Sequence, residues 1–192
     1  AYPDKNGFNK PAYFISKDGA EWNGHTAPYT ASPNDLITIE GYEKFAEADI
    51  NGTNVILNEG PEQLLYFNNV KDPGRVYHAI LKEGRIFTFG GIALASPHGV
   101  NDVKLLLGKE ADWFLMGLHM NTDALWYSLS TNGVEFSPEQ LLFKSRDEAD
   151  RYIVAIGWVV NENKVLGFLY GAGAVPELNR NRIFATWLQK RV

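Results

Sequence analysis

The chain has 192 residues, 45% of them hydrophobic and 21% charged, and a formal net charge of −5 at neutral pH. That composition suits a globular domain with a sizeable core, and the lack of any Lys/Arg run excludes a nucleic-acid binder built on a basic stripe. There is no cysteine, which excludes disulfides and thiolate chemistry.

Other classes fall away on the same footing. The longest strongly apolar stretch, Tyr152 to Val160, is about half the length of a membrane-spanning helix, so no membrane span is expected. Ala1-Tyr2-Pro3-Asp4 carries no leader pattern. A cysteine-free chain is compatible with export to the periplasm or the medium without requiring it. Aromatic residues reach 13%, which suits pleated sheets and also sugar sites, core packing being the commoner use.

In chain order, the predicted elements are short strands separated by turn signals. Ala12-Tyr13-Phe14-Ile15 reads as a strand, followed by a Ser16-Lys17-Asp18-Gly19 turn leading to Trp22. Gly41 to Ala48 is the best helical candidate, about two turns long. Gln63 to Phe67 and Arg75 to Leu81 flank Lys71-Asp72-Pro73-Gly74, a hairpin whose Pro and Gly supply the turn geometry. Trp113 to Leu118 and Leu125 to Ser128 are further strands. The charged segment Arg146 to Asp150 forms one turn. Tyr152 to Val160 and Lys164 to Tyr170 flank Asn161-Glu162-Asn163 as another hairpin. Arg182 to Trp187 closes the series.

These elements repeat. Ser16-Lys17-Asp18-Gly19-Ala20-Glu21-Trp22 has the form Ser-x-Asp-Gly-x-x-aromatic. Ser130-Thr131-Asn132-Gly133-Val134-Glu135-Phe136 repeats it with Asn for Asp, and Leu81 to Phe87 is a degenerate copy. Each copy reads as a strand, a turn needing a positive-φ glycine, and an aromatic that packs inward. A second series, Asp49, Asp102 and Asp150, precedes apolar runs at spacings of 53 and 48 residues. A period of about fifty residues matches a four-stranded unit. The expectation is therefore an all-β fold: a β-propeller of four-stranded antiparallel blades, about three to four present. Blades are expected at residues 49–100, 101–147 and 148–192, with the outer strands of another within 1–48. A ring of this size closes through its two ends, a partner chain or additional upstream sequence.

The turn copies after aromatic strands, together with Asn58-Glu59-Gly60-Pro61, resemble the five-bladed propeller glycosidases, the arabinanase, β-xylosidase and invertase group. The resemblance implies a carbohydrate-active protein, hydrolysing an oligosaccharide or polysaccharide with an inner-strand Asp as base or nucleophile, a second Asp, and a Glu acid. It points to Asp49 and Asp102 as catalytic residues, with Asp150 in the third equivalent position, and to Glu59 through the Glu-Gly-Pro element. It also admits Ca²⁺ at the axis.

The chemistry stands beside this on its own terms. Glycoside hydrolysis needs one protonated and one ionised carboxyl group, which clustered carboxylates supply. The same Asp residues could instead satisfy backbone donors at strand starts. His25, His78, His98 and His119 lack metal-ligand spacing. His119, beside the polar Asn121-Thr122-Asp123 turn, and His98, in Ser96-Pro97-His98-Gly99, are candidate ligand contacts, whereas His78 reads as structural. Arg151 could pair with a carboxylate, and Trp158 could floor a sugar site. Gly171-Ala172-Gly173-Ala174 lacks the strand and helix context of a phosphate loop. A non-catalytic carbohydrate-binding or protein-binding propeller is the alternative.

Overall fold

Turn residues cut this chain into short extended runs, and consecutive runs pair antiparallel with the neighbour that follows. The computed structural model describes residues 2–4, 6–12, 36–57, 63–177 and 180–188. Strands β1 (Tyr2–Pro3) and β2 (Asn9–Lys10) form a small hairpin. Strands β3 (Thr38–Glu40), β4 (Ile50–Leu57), β5 (Gln63–Asn69), β6 (Arg75–Glu83) and β7 (Ile86–Ala95) make the first sheet, ordered β3-β7-β6-β5-β4. Strands β8 (Gly99–Leu106), β9 (Trp113–His119), β10 (Ala124–Ser130) and β11 (Gln140–Lys144) make the second. Strands β12 (Tyr152–Asn161), β13 (Lys164–Gly173) and β14 (Arg182–Trp187) make the third. Every pairing is antiparallel except β3 with β7. The chain is thus all-β, as expected.

The three sheets stack face on face. Leu64, Tyr66 and Val76 of the first meet Val103, Phe114 and Met116 of the second. Leu115, Leu125 and Phe143 of the second meet Ile156, Trp158, Phe168 and Tyr170 of the third. The middle sheet is covered on both sides, so β9 reads Trp-Phe-Leu-Met-Gly-Leu with five consecutive buried residues and no polar alternation. At the far side of the first sheet, Ile37, Tyr42 and Phe45 pack with Ile39, Leu65, Phe67, Tyr77 and Phe87 of the sheet. Strand β4 runs beside β8, and β8 beside β12.

Both expected hairpins form. The degenerate turn copy is a tight turn with Gly84 at φ 53°, leading to Phe87, which is buried. In the Asn-Gly copy Gly133 has φ 72°. Ser130 Oγ accepts from Asn132 N and Gly133 N, and Asn132 Oδ1 accepts from Val134 N and Glu135 N. These bonds hold a wider loop than a two-residue hairpin. Its aromatic, Phe136, stands edge-on to Tyr66 of the first sheet at 5.6 Å. The first turn copy at residues 16–22 lies outside the described residues.

One element differs from expectation. Gly41 to Ala48 does not make two helical turns; only Phe45–Glu47 forms a 3₁₀ turn. Such a segment is too short to recover the cost of nucleating an α-helix, and its carbonyls are taken from outside. Lys10 Nζ donates to Phe45 O, Ala46 O and Ala48 O at 2.7, 3.3 and 2.5 Å. Residues 38–40 edge the first sheet, paired in parallel with β7. Among the described residues no helix is long and apolar enough to cross a membrane.

Candidate binding pocket

The starts of β4, β8 and β12 and the ends of β5 and β9 converge on a pocket of about 420 Å³. Its polar lining is Asn51, Asn68, Asn101, Asn121 and His119; Val70, Met120 and Val154 supply apolar wall, and no charged side chain lines it. Its size is that of a small-ligand site.

Backbone geometry brings these residues together. Gly52, at φ 61°, passes so close to the Val100 carbonyl that a Cβ there would stand 2.1 Å from its oxygen. Only glycine lets β4 and β8 approach this way. Asn68 Oδ1 accepts from Val100 N at 2.7 Å while its Nδ2 donates to Arg75 O at 2.8 Å, tying the first sheet to the second. Asn101 Oδ1 accepts from Ile156 N, tying the second to the third. Asn121 adopts φ 46°, a left-handed conformation Asn tolerates, and turns the chain at the rim.

His119, at the end of β9, contributes an imidazole to the wall. Its Nδ1 is buried and has no hydrogen-bond partner among the described residues. Burial, with a smaller contribution from the nearby His98 charge, holds its pKa below the ordinary histidine value. The imidazole is therefore neutral at pH 7 and can donate from one nitrogen and accept at the other. The side chains of Asn51 and Asn121 likewise make no hydrogen bond among the described residues.

The sequence-predicted site residues are placed as follows. Asp49 precedes β4; its Oδ1 accepts from Asn9 N at 3.0 Å, holding the N-terminal hairpin. Asp102 is the fourth residue of β8, not its start. It follows a bulge, and its Oδ2 accepts from Trp158 N at 2.7 Å while Oδ1 pairs with Lys104 Nζ at 2.9 Å. Asp150 is buried and accepts from Ser145 Oγ and, at 2.7 Å, from Tyr170 OH. None of the three lines the pocket, and each carboxylate has partners within the protein.

His98 stands just before β8, outside the lining. Its Nδ1 donates to Glu139 at 2.7 Å, because a carboxylate can only accept, and its ring stacks on Trp126 at 3.5 Å. Ser96 Oγ donates to the other Glu139 oxygen. Arg151 is exposed, over the Tyr152 ring. Trp158 packs in the core between the second and third sheets. Glu59 lies outside the described residues. Of the candidates among the described residues, His119 alone lines the pocket.

The four asparagines escaped the sequence reading. Asn51 and Asn101 stand two residues after Asp49 and one before Asp102, so the Asp series marked two of the strands that line the pocket but not the side chains that line it. Among the described residues no three His, Asp or Glu side chains gather as a metal site. No family model matches the chain, and no curated protein is significantly similar to it.

Proposed function

We propose that the chain is a carbohydrate-binding module whose three sheets are successive blades of a β-propeller, with the neutral pocket at the inner-strand starts as its ligand site. The observation that carries the reading is the uncharged lining: Asn51 and Asn121, whose side chains make no hydrogen bond among the described residues, beside a neutral His119. Amides and an imidazole can each donate and accept, the capacity a ring of hydroxyl groups needs. Val70, Met120 and Val154 offer apolar surface for the C–H faces of the same ring. An ionic ligand would find no counter-charge here. The propeller reading is supported by the meander order within each sheet, the lateral sequence β4, β8, β12, and the recurrence of the unit.

Hydrolysis by Asp49, Asp102 and Asp150 is the second reading. The Asp series starts or flanks the strands that line the pocket, which favours it. The engagement of each carboxylate in structural bonds places it behind binding.

The test is a titration of the protein with a panel of neutral mono- and oligosaccharides, followed by calorimetry, with reducing ends assayed in the same samples. A neutral sugar should bind, and His119→Ala should weaken it about tenfold or more, as expected when a hydrogen-bonding partner in a desolvated pocket is lost. Equal affinity in the variant would remove His119 from the site. Release of reducing ends would promote the hydrolytic reading.

A further inference from the structure

A second hollow, of about 490 Å³, lies where β13 ends and β14 begins, beside the 3₁₀ turn that enters β12. Its lining is Ala149, Gly173, Ala174, Val175, Arg180 and Arg182. Small residues make the walls, and among the described residues the two arginines are the only charged lining. In a chain of net charge −5 this is a local excess of positive charge.

Local geometry builds the hollow. Residues 180–181 come down on the end of β13, where a Cβ on Gly173 would stand 2.9 Å from Asn181 Oδ1 and 3.2 Å from the Arg180 carbonyl oxygen. The glycine in the Gly171-Ala172-Gly173-Ala174 run accommodates this close approach. Asn181 thereby faces β13, and the arginines on either side of it both reach the hollow.

The two guanidinium groups differ in what already holds them. Glu177 Oε2 stands 3.1 Å from Arg180 Nε, and Arg180 N donates to Glu177 O at 3.0 Å. That pair orients Arg180 and leaves its terminal amino groups uncommitted. Arg182 makes no ion pair or hydrogen bond among the described residues. The acids of the neighbouring turn are engaged elsewhere: Asp147 accepts from Ala149 N, and Asp150 accepts from Ser145 Oγ and Tyr170 OH. Glu148 and Arg151 are exposed outside the lining and offset each other in charge. Two guanidinium groups against the Glu177 carboxylate leave one positive charge uncompensated.

We propose that this hollow is a second binding site, which takes an oxyanion: the carboxylate or sulfate group of an acidic sugar, or the free inorganic ion. The planar fork of a guanidinium matches such a group with paired N–H···O bonds. The volume admits a sugar ring as well as its charged group. Val154 of β12 lines the neutral pocket, and the turn before β12 lines this hollow, so both open towards the same end of the third sheet. An oxyanion site is independent of the carbohydrate reading; an acidic sugar as its source rests on that reading.

Calorimetric titration of the intact chain tests this with sodium sulfate, a hexuronate oligosaccharide and a neutral oligosaccharide of the same length. An anion should bind, less tightly as salt is raised, because exposed charges are screened. Arg182→Gln and Arg180→Gln should each weaken it about tenfold, the loss of a charge-assisted hydrogen bond. Both side chains are exposed, so the circular dichroism melts of the variants should match wild type. A hexuronate bound more tightly than sulfate identifies an acidic sugar as the source; sulfate bound as tightly identifies the free ion. Sulfate that binds through Arg182 while no sugar binds would keep this site and remove the carbohydrate reading. No anion bound, or anion binding unchanged in both variants, would overturn the proposal. So would a neutral oligosaccharide that needs Arg182 as much as the hexuronate does.

Discussion

His78 and His119 show how single positions couple this fold to pH. His78 is buried in β6, its Nδ1 has no partner among the described residues, and a Cβ on Gly90 would stand 2.1 Å from its Nε2. Burial lowers its pKa, opposed in part by a hydrogen bond with the Gly91 backbone. Burial lowers that of His119 as well, with His98 adding to it. A folded-state pKa below the unfolded value, near 6.5, means that the unfolded chain takes up protons first as the pH falls. The stabilisation is full above about pH 6.5 and is lost as the pH drops through that value towards the folded pKa. Thermal melts should therefore fall in midpoint from pH 7 to pH 5, and His78→Gln should flatten part of that slope. An identical slope in the variant would show that His78 does not carry it. The sequence marked His78 as structural because it sits inside a strand beside Tyr77. Burial and a missing partner could not be read from one position.

Asp150 belongs to the scale of elements, where it joins a turn to a strand. The loop entering β12 is a 3₁₀ turn over Glu148–Asp150, capped by Asp147, whose side chain accepts from Ala149 N at 2.8 Å. Asp150 then fixes that turn to β13 through Tyr170 OH and to the preceding loop through Ser145. Burial raises the Tyr170 pKa first, and the bond to Asp150 adds to it, so its hydroxyl stays protonated and donating at neutral pH. Asp150→Ala should cost about 1–3 kcal/mol, because two buried hydroxyl donors lose their acceptor. Urea denaturation measures that cost. Wild-type stability in the variant would return Asp150 to the list of functional candidates. Strands, hairpins and turn copies were legible here since each rests on alternation and on Gly, Asn or Pro within a few residues. Gly41 to Ala48 was misread as helix because a local pattern cannot show Lys10, some thirty-five residues away, taking its carbonyls.

At the scale of the whole molecule the order of the sheets decides what each side chain does. Phe168 and Leu169 are neighbours on β13, yet Phe168 is 1% exposed and sits between two sheets while Leu169 is 42% exposed on the outer face. Phe168→Ala should cost about 3–5 kcal/mol through lost burial and the cavity left behind. Leu169→Ala should stay within about 0.5 kcal/mol of wild type. Chemical denaturation of the two variants compares them directly, and equal losses would mean that the third sheet does not pack as described. By itself the sequence determined the all-β class, the positions of most strands, the turn glycines and the recurrence of a unit of about fifty residues, because these depend on backbone preference and period-two patterning over short distances. Only the tertiary structure decided that the Asp carboxylates bind backbone and hydroxyl donors, that Asn51, Asn68, Asn101 and Asn121 meet around His119, and that Arg180 and Arg182 line one hollow. Those outcomes depend on which strands lie beside which across sheets, a long-range arrangement that periodicity along the chain does not encode.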